Sequence, residues 1–451
     1  MKIIKSLDGK VNKKINNSFI ETGNSFKVEK IKQISKIVTG NTPSLKNQKN
    51  WSNKNGIKWF SIPNFRLVKN GFLVSNERFL TNDGAKVSRV CPAGTVLVSC
   101  IATVGEVAIL KESSAFNQQI NGILPSKKIN SMYLRYVFMY QKNNLIKYAP
   151  KNVIMNINKS LFEDYEISYI EDIEQQEKIS YILSVQENQI ETIRELIKKI
   201  ETRNQYYAEK ILSGELRVRK NEDGNIEFYN NTEWQEDSLK SLFFSKEYSV
   251  PKGWKIKPIL DNIKLIKGIS INSSEFNYQG MGRQFLRTGD VWEDASSKKE
   301  PAFFDGVVDD KFIKTENDYV SCFEGFNKEI GNGTIGLVTN LGEGIISSHL
   351  YKTENKNIDG KYYSASLLKT DYIQNILIRN AVGSTVLSST KCLKDILFIF
   401  PDNDEMILIE EVLSSLYLES NNLRKVLEKE KLRFQWLLDN LLSGEYQVVD
   451  E

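Results

Sequence analysis

Two long stretches of the chain carry apolar residues at a spacing of alternately four and three positions. The first stretch, residues 174–212, contains neither Gly nor Pro. Its seam positions are Ile179, Leu183, Gln186, Ile190, Ile193, Ile197, Ile200, Asn204, Tyr207 and Ile211. An average spacing of about 3.5 residues is typical of one helix of a coiled coil. The pattern therefore predicts a long helix that needs a partner along this seam.

The second stretch, residues 403–443, repeats the pattern. Its seam positions are Ile409, Leu413, Leu416, Ser420, Leu423, Leu427, Glu430, Phe434, Leu437 and Leu441. Because each helix leaves one stripe uncovered, we expect the two helices to pair with each other. The alternative is that each is an ordinary core helix of its own domain, which the length and the sustained period disfavour. The polar seam positions either fix the register or lie at frayed, exposed points.

The two helices belong to a duplicated segment. Residues 211–218 read ILSGELRV and residues 441–448 read LLSGEYQV. Ser213 and Ser443 lie 230 positions apart, and at this offset the two helices match without a gap. Solenoid repeats have periods of about 20–50 residues, so this longer period indicates a duplicated domain with its helix. Both copies place a Gly just after the last seam residue, which is a usual helix stop.

A globular region precedes each helix. In these regions β-branched and aromatic runs alternate with turn residues, as in GIKWFSIPNF and GTVLVSCIATVGEVAIL. This alternation predicts α/β or α+β domains with a curved sheet. The segment SMYLRYVFMYQKNNLIKY, residues 131–148, is predicted to form one helix.

The two globular regions match more loosely than the helices. IVTGNTPS, residues 37–44, corresponds to LIKGISIN, residues 265–272, with Gly40 opposite Gly268. Asn117-Gln118-Gln119 falls opposite Ser347-Ser348-His349. The chain therefore combines a constant helical frame with two diverged heads.

Catalysis by the chain itself is disfavoured. The single histidine, His349, excludes a histidine-rich metal site. The sequence has no GxSxG elbow, no phosphate-binding GxxxxGK[ST] loop and no adjacent prolines of the kind found in adenine methyltransferases. GNGTIG, residues 331–336, fits a dinucleotide-binding pattern, but a strand-like segment follows it, so a turn is predicted.

The amino terminus and the cysteines favour a cytoplasmic protein. MKIIKSLDGKVNKK lacks the apolar run of a signal peptide, and no stretch of about 18 apolar residues is present to span a membrane. The cysteines form no CxxC pair and are predicted to be buried thiols; they are Cys91, Cys100, Cys322 and Cys392.

Positive charge is concentrated locally although the net charge is only +4. No acidic residue lies between Glu112 and Glu163, a stretch that contains Lys127, Lys128, Arg135, Lys142, Lys147, Lys151 and Lys159. A shorter version, from Tyr372 to Lys394, contains Arg379, Lys391 and Lys394. With tyrosines and asparagines interleaved in the first stretch, this composition favours a surface that faces DNA phosphates. The alternative is a solvated basic face without a ligand.

The order of head, helix, head and helix resembles the specificity subunits of type I restriction–modification systems. The resemblance also rests on TGNTPS, VPKGWKI, EQQEKISYILS, ILSGEL and LLSGEY. The first copy lacks the proline that usually precedes the EQ stretch, while the second keeps Pro401 but has Asp404-Glu405 in place of EQ. The first twenty residues match nothing in the family's pattern.

The resemblance implies a pseudo-two-fold molecule with two α/β (α+β) target recognition domains, separated by two long helices that form an antiparallel coiled coil. The implied segments are a first recognition domain (1–172), a first helix (173–213), a linker (214–240), a second recognition domain (241–402) and a second helix (403–443). Each recognition domain would read one half of a bipartite target in double-stranded DNA. The helices would separate the two domains and provide docking sites for two methyltransferase subunits.

The resemblance also implies a non-catalytic subunit of a DNA (adenine-N6) methyltransferase or type I restriction endonuclease complex. The methyltransferase subunits would carry S-adenosylmethionine, and a restriction and motor subunit would supply ATP- and Mg-dependent activity, so this chain would bind no cofactor. A scaffold whose heads bind protein is the alternative. A standalone modification enzyme is disfavoured by the absence of adjacent prolines.

These implications lead to two sets of candidate residues and to no candidate metal site. The candidate DNA contacts are Lys46, Lys49, Lys54, Arg66, Lys142, Asn143, Asn144, Lys147, Lys151, Asn152, Lys159, Arg283, Arg287, Arg379, Lys391 and Lys394. Among them, the lysines at 142, 147 and 151 are expected near phosphates and the asparagines at 143, 144 and 152 near base edges. The candidate docking residues for the methyltransferase subunits are Arg194, Arg203, Tyr206, Arg424, Arg433 and Trp436.

Overall fold

The computed structural model describes residues 2–5, 10–15, 18–23, 26–74, 76, 78–150, 155–240, 247–291, 300–316, 318–325, 336–339, 342–382 and 387–449. The chain forms two compact units. Unit 1 comprises Met1–Glu195 and Lys425–Glu451, and unit 2 comprises Leu196–Arg424.

Helices in the described residues include two of 40 residues each. The helices are α1 (Ile31–Ile34), α2 (Asn82–Lys86), α3 (Ser131–Tyr140), α4 (Lys142–Tyr148), α5 (Lys159–Asp164), α6 (Ile173–Leu212), α7 (Tyr362–Lys369), α8 (Asp371–Arg379) and α9 (Asn403–Leu442). The long helices α6 and α9 coincide with the two predicted seams.

The strands of the first half are β1 (Lys2–Lys5), β2 (Lys10–Ile15), β3 (Ser18–Gly23), β4 (Phe26–Lys30), β5 (Ile37–Thr39), β6 (Trp51–Ser52), β7 (Ile57–Phe60), β8 (Val68–Lys69), β9 (Phe72–Leu73), β10 (Arg78–Leu80), β11 (Val96–Ser99), β12 (Val107–Leu110), β13 (Ala115–Phe116), β14 (Ile120–Ile123) and β15 (Glu166–Ile170). Those of the second half are β16 (Leu216–Lys220), β17 (Ile226–Asn230), β18 (Trp234–Lys240), β19 (Glu247–Pro251), β20 (Lys255–Pro258), β21 (Ile263–Lys267), β22 (Arg283–Leu286), β23 (Phe303–Phe304), β24 (Ile313–Lys314), β25 (Tyr319–Cys322), β26 (Glu324–Gly325), β27 (Leu337–Thr339), β28 (Gly344–Ile346), β29 (Tyr351–Asn355), β30 (Leu387–Ser388), β31 (Leu397–Phe400) and β32 (Tyr446–Val449).

Unit 1 is built around a six-stranded sheet in the order β5-β14-β11-β12-β9-β8. Strands β11 and β12 are buried at every position, which explains why they are apolar except at Ser99. Alternate residues serve two cores. Val96 and Val98 face a core shared with α3, while Leu97 faces a second core that contains Phe60 and Phe116.

Unit 2 repeats this plan. Its first sheet has the order β21-β29-β25-β27, which corresponds to β5-β14-β11-β12 of unit 1. A smaller sheet in each unit pairs two strands in parallel, β7 with β13 in unit 1 and β22 with β28 in unit 2. The predicted fold class, two copies of one α/β (α+β) fold with two long helices, is confirmed.

The long helices pair antiparallel within each unit. In unit 1, Ile179 and Leu183 of α6 share a core with Leu437 and Leu441 of α9. In unit 2, Arg424 Nη2 of α9 lies 2.6 Å from Glu201 Oε1 of α6. The predicted pairing of the two seams is therefore confirmed, and the alternative of two independent core helices is not.

Three polar seam residues are partnered rather than frayed. In unit 1, Gln186 Nε2 donates to Glu430 Oε2 at 2.6 Å, and Gln186 is only 4% exposed. In unit 2, Asn204 Nδ2 donates to the carbonyl oxygen of Leu416 at 2.7 Å. These groups satisfy their hydrogen bonds inside the seam, which favours a register-fixing role over fraying at the ends.

The prediction of one helix over residues 131–148 was wrong. The segment forms α3 and α4, and Gln141 interrupts them with its backbone near φ −91° and ψ 11°. The buried Gln141 side chain donates from Nε2 to the carbonyl oxygen of Ser168, which holds the interruption in place.

The segment interpreted as a linker, residues 214–240, contains β16, β17 and β18, and β16 pairs antiparallel with β17. Strand β32 follows α9 as β16 follows α6, and it pairs antiparallel with β1. The first twenty residues, which match nothing in the family's pattern, thus supply a strand partner in unit 1.

Further predictions concern thiols, membrane spans and one turn. Cys91, Cys100 and Cys322 are buried and Cys392 is half-buried, and all four are free thiols, as predicted. Burial raises the pKa of the Cys91 thiol to about 11. Within the described part of the chain, no helix is long and apolar enough to cross a membrane. Residues 331–335 of the GNGTIG turn lie outside the described residues.

Candidate DNA interface

The acid-free stretch is not uniformly a surface. Arg135 is 4% exposed and forms a bidentate ion pair with Glu187 of α6, with nitrogen–oxygen distances of 2.8 and 2.7 Å. The Tyr136 hydroxyl donates to the same carboxylate at 2.9 Å. Arg135 therefore joins α3 to α6, and the interpretation of the whole stretch as a DNA-facing surface was wrong at this residue.

Two lysines of the stretch form ion pairs with acidic residues. Lys142 Nζ lies 2.6 Å from Glu106 Oε1, and Lys159 Nζ lies 3.3 Å from Glu163 Oε1. Both lysines remain partly exposed, so water screens these ion pairs. Each ammonium group is therefore still accessible to an anion.

The exposed candidates of α4 are Lys147 and Asn143, and Asn144 is half-buried. Lys151 and Asn152 lie outside the described residues. Of the three lysines predicted to contact phosphates, Lys147 is thus the exposed one on a defined helix.

A second basic group of unit 1 surrounds its smaller sheet. Lys46, Lys49, Lys54 and Arg66 are all exposed. Close to them, Trp51 packs edge-on against Trp59 with ring centroids 5.2 Å apart, and the Arg78 guanidinium lies 5.9 Å above the Trp51 ring. This part of unit 1 therefore carries exposed cations beside packed tryptophan rings.

In unit 2, Arg283 begins β22 and Arg287 follows its last residue. Arg283 is exposed, whereas Arg287 is half-buried and pairs with Asp290 at 2.7 Å between Nε and Oδ2. The hydrogen bonds that the guanidinium donates to Asp290 raise the pKa of Arg287 above its ordinary value. The remaining candidates of this unit are exposed; they are Arg379, Lys391 and Lys394.

A close backbone contact at Gly40 organises the loops of unit 1. A Cβ atom at Gly40 would lie 2.2 Å from the carbonyl oxygens of Phe116 and Asn117, so only glycine fits. The Gly40 amide donates to the carbonyl oxygen of Ile120 at 3.1 Å. Beside this contact, the Thr42 hydroxyl donates to Gln118 Oε1 at 2.6 Å.

Unit 2 contains the same arrangement. A Cβ atom at Gly268 would lie 2.3 Å from the carbonyl oxygens of Ile346 and Ser347. The Gly268 amide donates to the carbonyl oxygen of Leu350 at 2.9 Å. Ser270 Oγ and Ser348 Oγ are hydrogen-bonded at 3.0 Å, in the positions of Thr42 and Gln118. We call each arrangement a glycine clamp: Gly40 with Thr42 and residues 117–119, and Gly268 with Ser270 and residues 347–349.

Hydrogen bonds connect the first clamp to Arg89 on one side and to the loop that reaches Lys142 on the other. On one side, Arg89 Nη1 donates to the carbonyl oxygen of Thr39 at 2.6 Å. On the other side, the Cys100 amide donates to the carbonyl oxygen of Gln119 at 2.9 Å, and the loop after Cys100 reaches Lys142 at Gly105. The clamp was absent from the candidate residues, although the match of Gly40 with Gly268 was the signal that could have found it.

The candidate docking residues fall into two classes. Four arginines form ion pairs with residues of α6 or α9: Arg194 with Glu191, Arg203 with Glu419, Arg424 with Glu201 and Arg433 with Glu430. The aromatic pair is different, because Tyr206 is 59% and Trp436 is 46% exposed. Exposed aromatic rings on a helix are typical of protein-binding surfaces.

No metal site is evident in the described residues, where no three His, Cys, Asp or Glu side chains are grouped to hold an ion.

Comparison with known proteins bears on the remaining question, the family of the chain. Residues 24–202 match the family model of the type I restriction modification DNA specificity domain. Residues 24–202 are therefore similar to a type I restriction–modification DNA specificity domain. The predicted resemblance to type I specificity subunits is thereby confirmed.

Relatives extend this likeness beyond the first unit. The chain is 23% identical over 432 residues to the type I restriction enzyme MjaIX specificity subunit of Methanocaldococcus jannaschii, a match covering 93% of each chain. It is 28% identical over 149 residues to the HindI specificity subunit of Haemophilus influenzae, covering 32% of this chain and 31% of that one. In fold, it is similar to the crystal structure of a type I restriction–modification S subunit from M. genitalium, with a TM-score of 0.51, 16% identity and coverage of 92% and 96%.

The matched specificity domain, residues 24–202, contains the first glycine clamp, α4 and most of α6. The second copy lies outside the matched range. Its kinship to the specificity domain rests on the shared strand order and on the second clamp.

Proposed function

We propose that the chain is the DNA-recognition subunit of a type I restriction–modification complex and that each unit reads one half of a bipartite target. The observation that carries this proposal is the repetition of one fold with a matched glycine clamp and a neighbouring arginine in each unit, Arg89 in unit 1 and the half-buried Arg287 in unit 2. A single-site binder would need one such surface, whereas a split target needs two of the same kind.

Within each unit, different residues have different roles. Exposed cations such as Lys147 and Lys391 neutralise phosphates and position the protein on the duplex. Amide side chains such as Asn143 supply the donor and acceptor pairs that distinguish bases in the major groove. Separation of these roles lets the cations provide affinity while the amides provide sequence preference.

The helices serve the rest of the complex in this proposal. Tyr206 and Trp436 occupy equivalent positions at the offset of 230, so they offer one docking position to each of two methyltransferase subunits. Those subunits carry S-adenosylmethionine and modify adenine, while a restriction and motor subunit uses ATP and Mg. The chain itself performs no chemistry, binds no cofactor and acts in the cytoplasm.

The first experiment is methylation mapping in cells with and without the gene for this chain. A bipartite adenine-methylated sequence that disappears with the gene supports the proposal. If the full complex is made but removal of the gene eliminates no methylated sequence, the proposal is contradicted.

The second experiment measures the salt dependence of binding to the mapped duplex. Lys147→Ala should weaken binding to all sequences and reduce the slope of log affinity against log salt by about 1. The matched control is Lys36→Ala, because Lys36 is exposed at the opposite end of β5 from the clamp. A protein scaffold would instead bind duplex DNA weakly and show no difference between the two variants.

A further inference from the structure

The two units have diverged in sequence but retain one detailed arrangement outside the helices. Each glycine clamp brings two loops into backbone contact and holds a polar pair at the surface, Thr42 with Gln118 in unit 1 and Ser270 with Ser348 in unit 2. All four side chains are at least partly exposed. A surface hydrogen bond that contributes little to stability is retained in both copies, which indicates a shared task.

The second clamp borders an open groove of about 690 Å³ within unit 2. Ser270, Ser348 and His349 line this groove together with Arg287. Ser347 also lines it, is 5% exposed, and has a hydroxyl without a hydrogen-bond partner among the described residues. A buried hydroxyl without a partner is costly, so a ligand that supplies an acceptor would be stabilising there.

We propose that both glycine clamps bind the sugar–phosphate backbone of DNA through uncharged donors. The donors are the Gln118 amide in unit 1 and the Ser348 hydroxyl in unit 2, which accepts from Ser270 and keeps its own hydrogen available. This inference rests on the proposed function and assigns the clamps a role within it. Two heads that read different half-sites meet the same chemical structure only in the DNA backbone, so a feature common to both heads is suited to the backbone and not to the bases.

The clamp geometry fits such a contact. The Thr42 hydroxyl donates to the side-chain oxygen of Gln118. The NH₂ group of Gln118 is thereby directed away from that bond. Amide and hydroxyl groups are common donors to phosphate oxygens. The cations on either side of the first clamp would hold the adjacent phosphates, and the rigid contact at Gly40 would set the distance between them.

Uncharged contacts have a distinct signature. Because Gln118 and Ser348 carry no charge, their loss releases no additional counterions and leaves the salt slope unchanged. A lysine contact changes the slope, and a base contact changes the preference between sequences. The three kinds of contact are therefore separable by two measurements.

The test uses the full chain in complex with its methyltransferase subunits and compares the Ser270→Ala/Ser348→Ala double variant with the wild type. Duplexes carrying the mapped target, and the same duplex with the second half-site replaced, are titrated at several salt concentrations. The expected result is binding about tenfold weaker to both duplexes, with an unchanged ratio and an unchanged salt slope. Gln118→Ala should behave in the same way, and Ser415→Ala, an exposed serine of α9, is the matched control.

Each other outcome overturns the inference. Weaker binding to the cognate duplex alone would make the second clamp a base-reading site. Unchanged binding to both duplexes, in a variant with wild-type thermal stability, would make the pair a structural turn. Failure of the wild-type complex to distinguish the two duplexes would instead contradict the proposed function.

Discussion

At the scale of single residues, Lys314 is a charged side chain that folding removes from water. It is 1% exposed in unit 2, and its ammonium group donates to the carbonyl oxygens of Thr315 and Gly342 at 3.0 and 2.6 Å. Burial lowers the pKa of Lys314 from 10.5 to about 8, although the Asp318 carboxylate opposes this shift. The protonated form is therefore less stable in the folded unit than in the unfolded chain.

The contribution of Lys314 to the stability of the protein should consequently rise with pH in the alkaline range. Between pH values of about 8 and 10.5, the unfolded chain still binds a proton that folded Lys314 has released, so this residue's contribution to the free energy of unfolding increases with pH. Lys314→Met lacks this titration. Urea unfolding followed by circular dichroism at about pH 7 and about pH 10 should show the wild type gaining stability relative to the variant. A difference between the two proteins that stays constant over this range would contradict the prediction.

At the scale of the elements, the paired helices contain a polar contact inside an apolar seam. Gln186 and Glu430 meet at 2.6 Å in unit 1, with the Glu430 side chain 17% exposed. A buried pair of this kind costs stability relative to leucines but excludes registers in which either group lacks its partner.

A double-mutant cycle tests this interpretation. Gln186→Leu alone, or Glu430→Leu alone, should lower the free energy of unfolding by about 1–3 kcal/mol, because one polar group loses its partner. The double variant should be as stable as the wild type or more stable. Denaturant unfolding of the four proteins measures the coupling. Additive single effects would show that the two side chains do not depend on each other.

The sequence was sufficient to predict the helices because the seam spacing is a local pattern. It was not sufficient to predict that Gln186 meets Glu430, since the duplication aligns Gln186 with Leu416 and contacts in an antiparallel pair run in the opposite direction. The same reason explains the error at Arg135. Its partner, Glu187, lies 52 positions away, outside the stretch in which charges were counted.

At the scale of the whole molecule, the two units share the order of four strands in their first sheets, while the sequences of the two heads differ. Gly40 and Gly268 correspond in sequence and in backbone contact. The duplication of the heads could therefore be predicted from the sequence. Lys142 and Arg287 were among the candidate cations, but Arg89 beside the first clamp was not. The partner of Lys142, Glu106, lies 36 positions away, so composition could not identify it.

Exchange of one head should change one half of the target. We expect a chain in which residues 240–400 are replaced by the same region of a relative to keep the first half-site and acquire a new second one. The physical reason is that each unit has its own core and its own clamp. Methylation mapping in cells that express the hybrid measures both halves. A hybrid that is stable and active but changes both half-sites would show that the units do not read independently.

The seam also determines which helices accept each other. If two copies of α6 paired in the same register, Gln186 would face Ile200, the counterpart of Glu430, and two copies of α9 would set Glu430 against Leu416. Either homotypic pair would bury a polar group without its hydrogen bond, which is unfavourable. Separate halves of the chain would therefore choose each other over copies of themselves. When related genes recombine, the heads are free to vary, but an exchanged helix must be complementary to the helix with which it pairs.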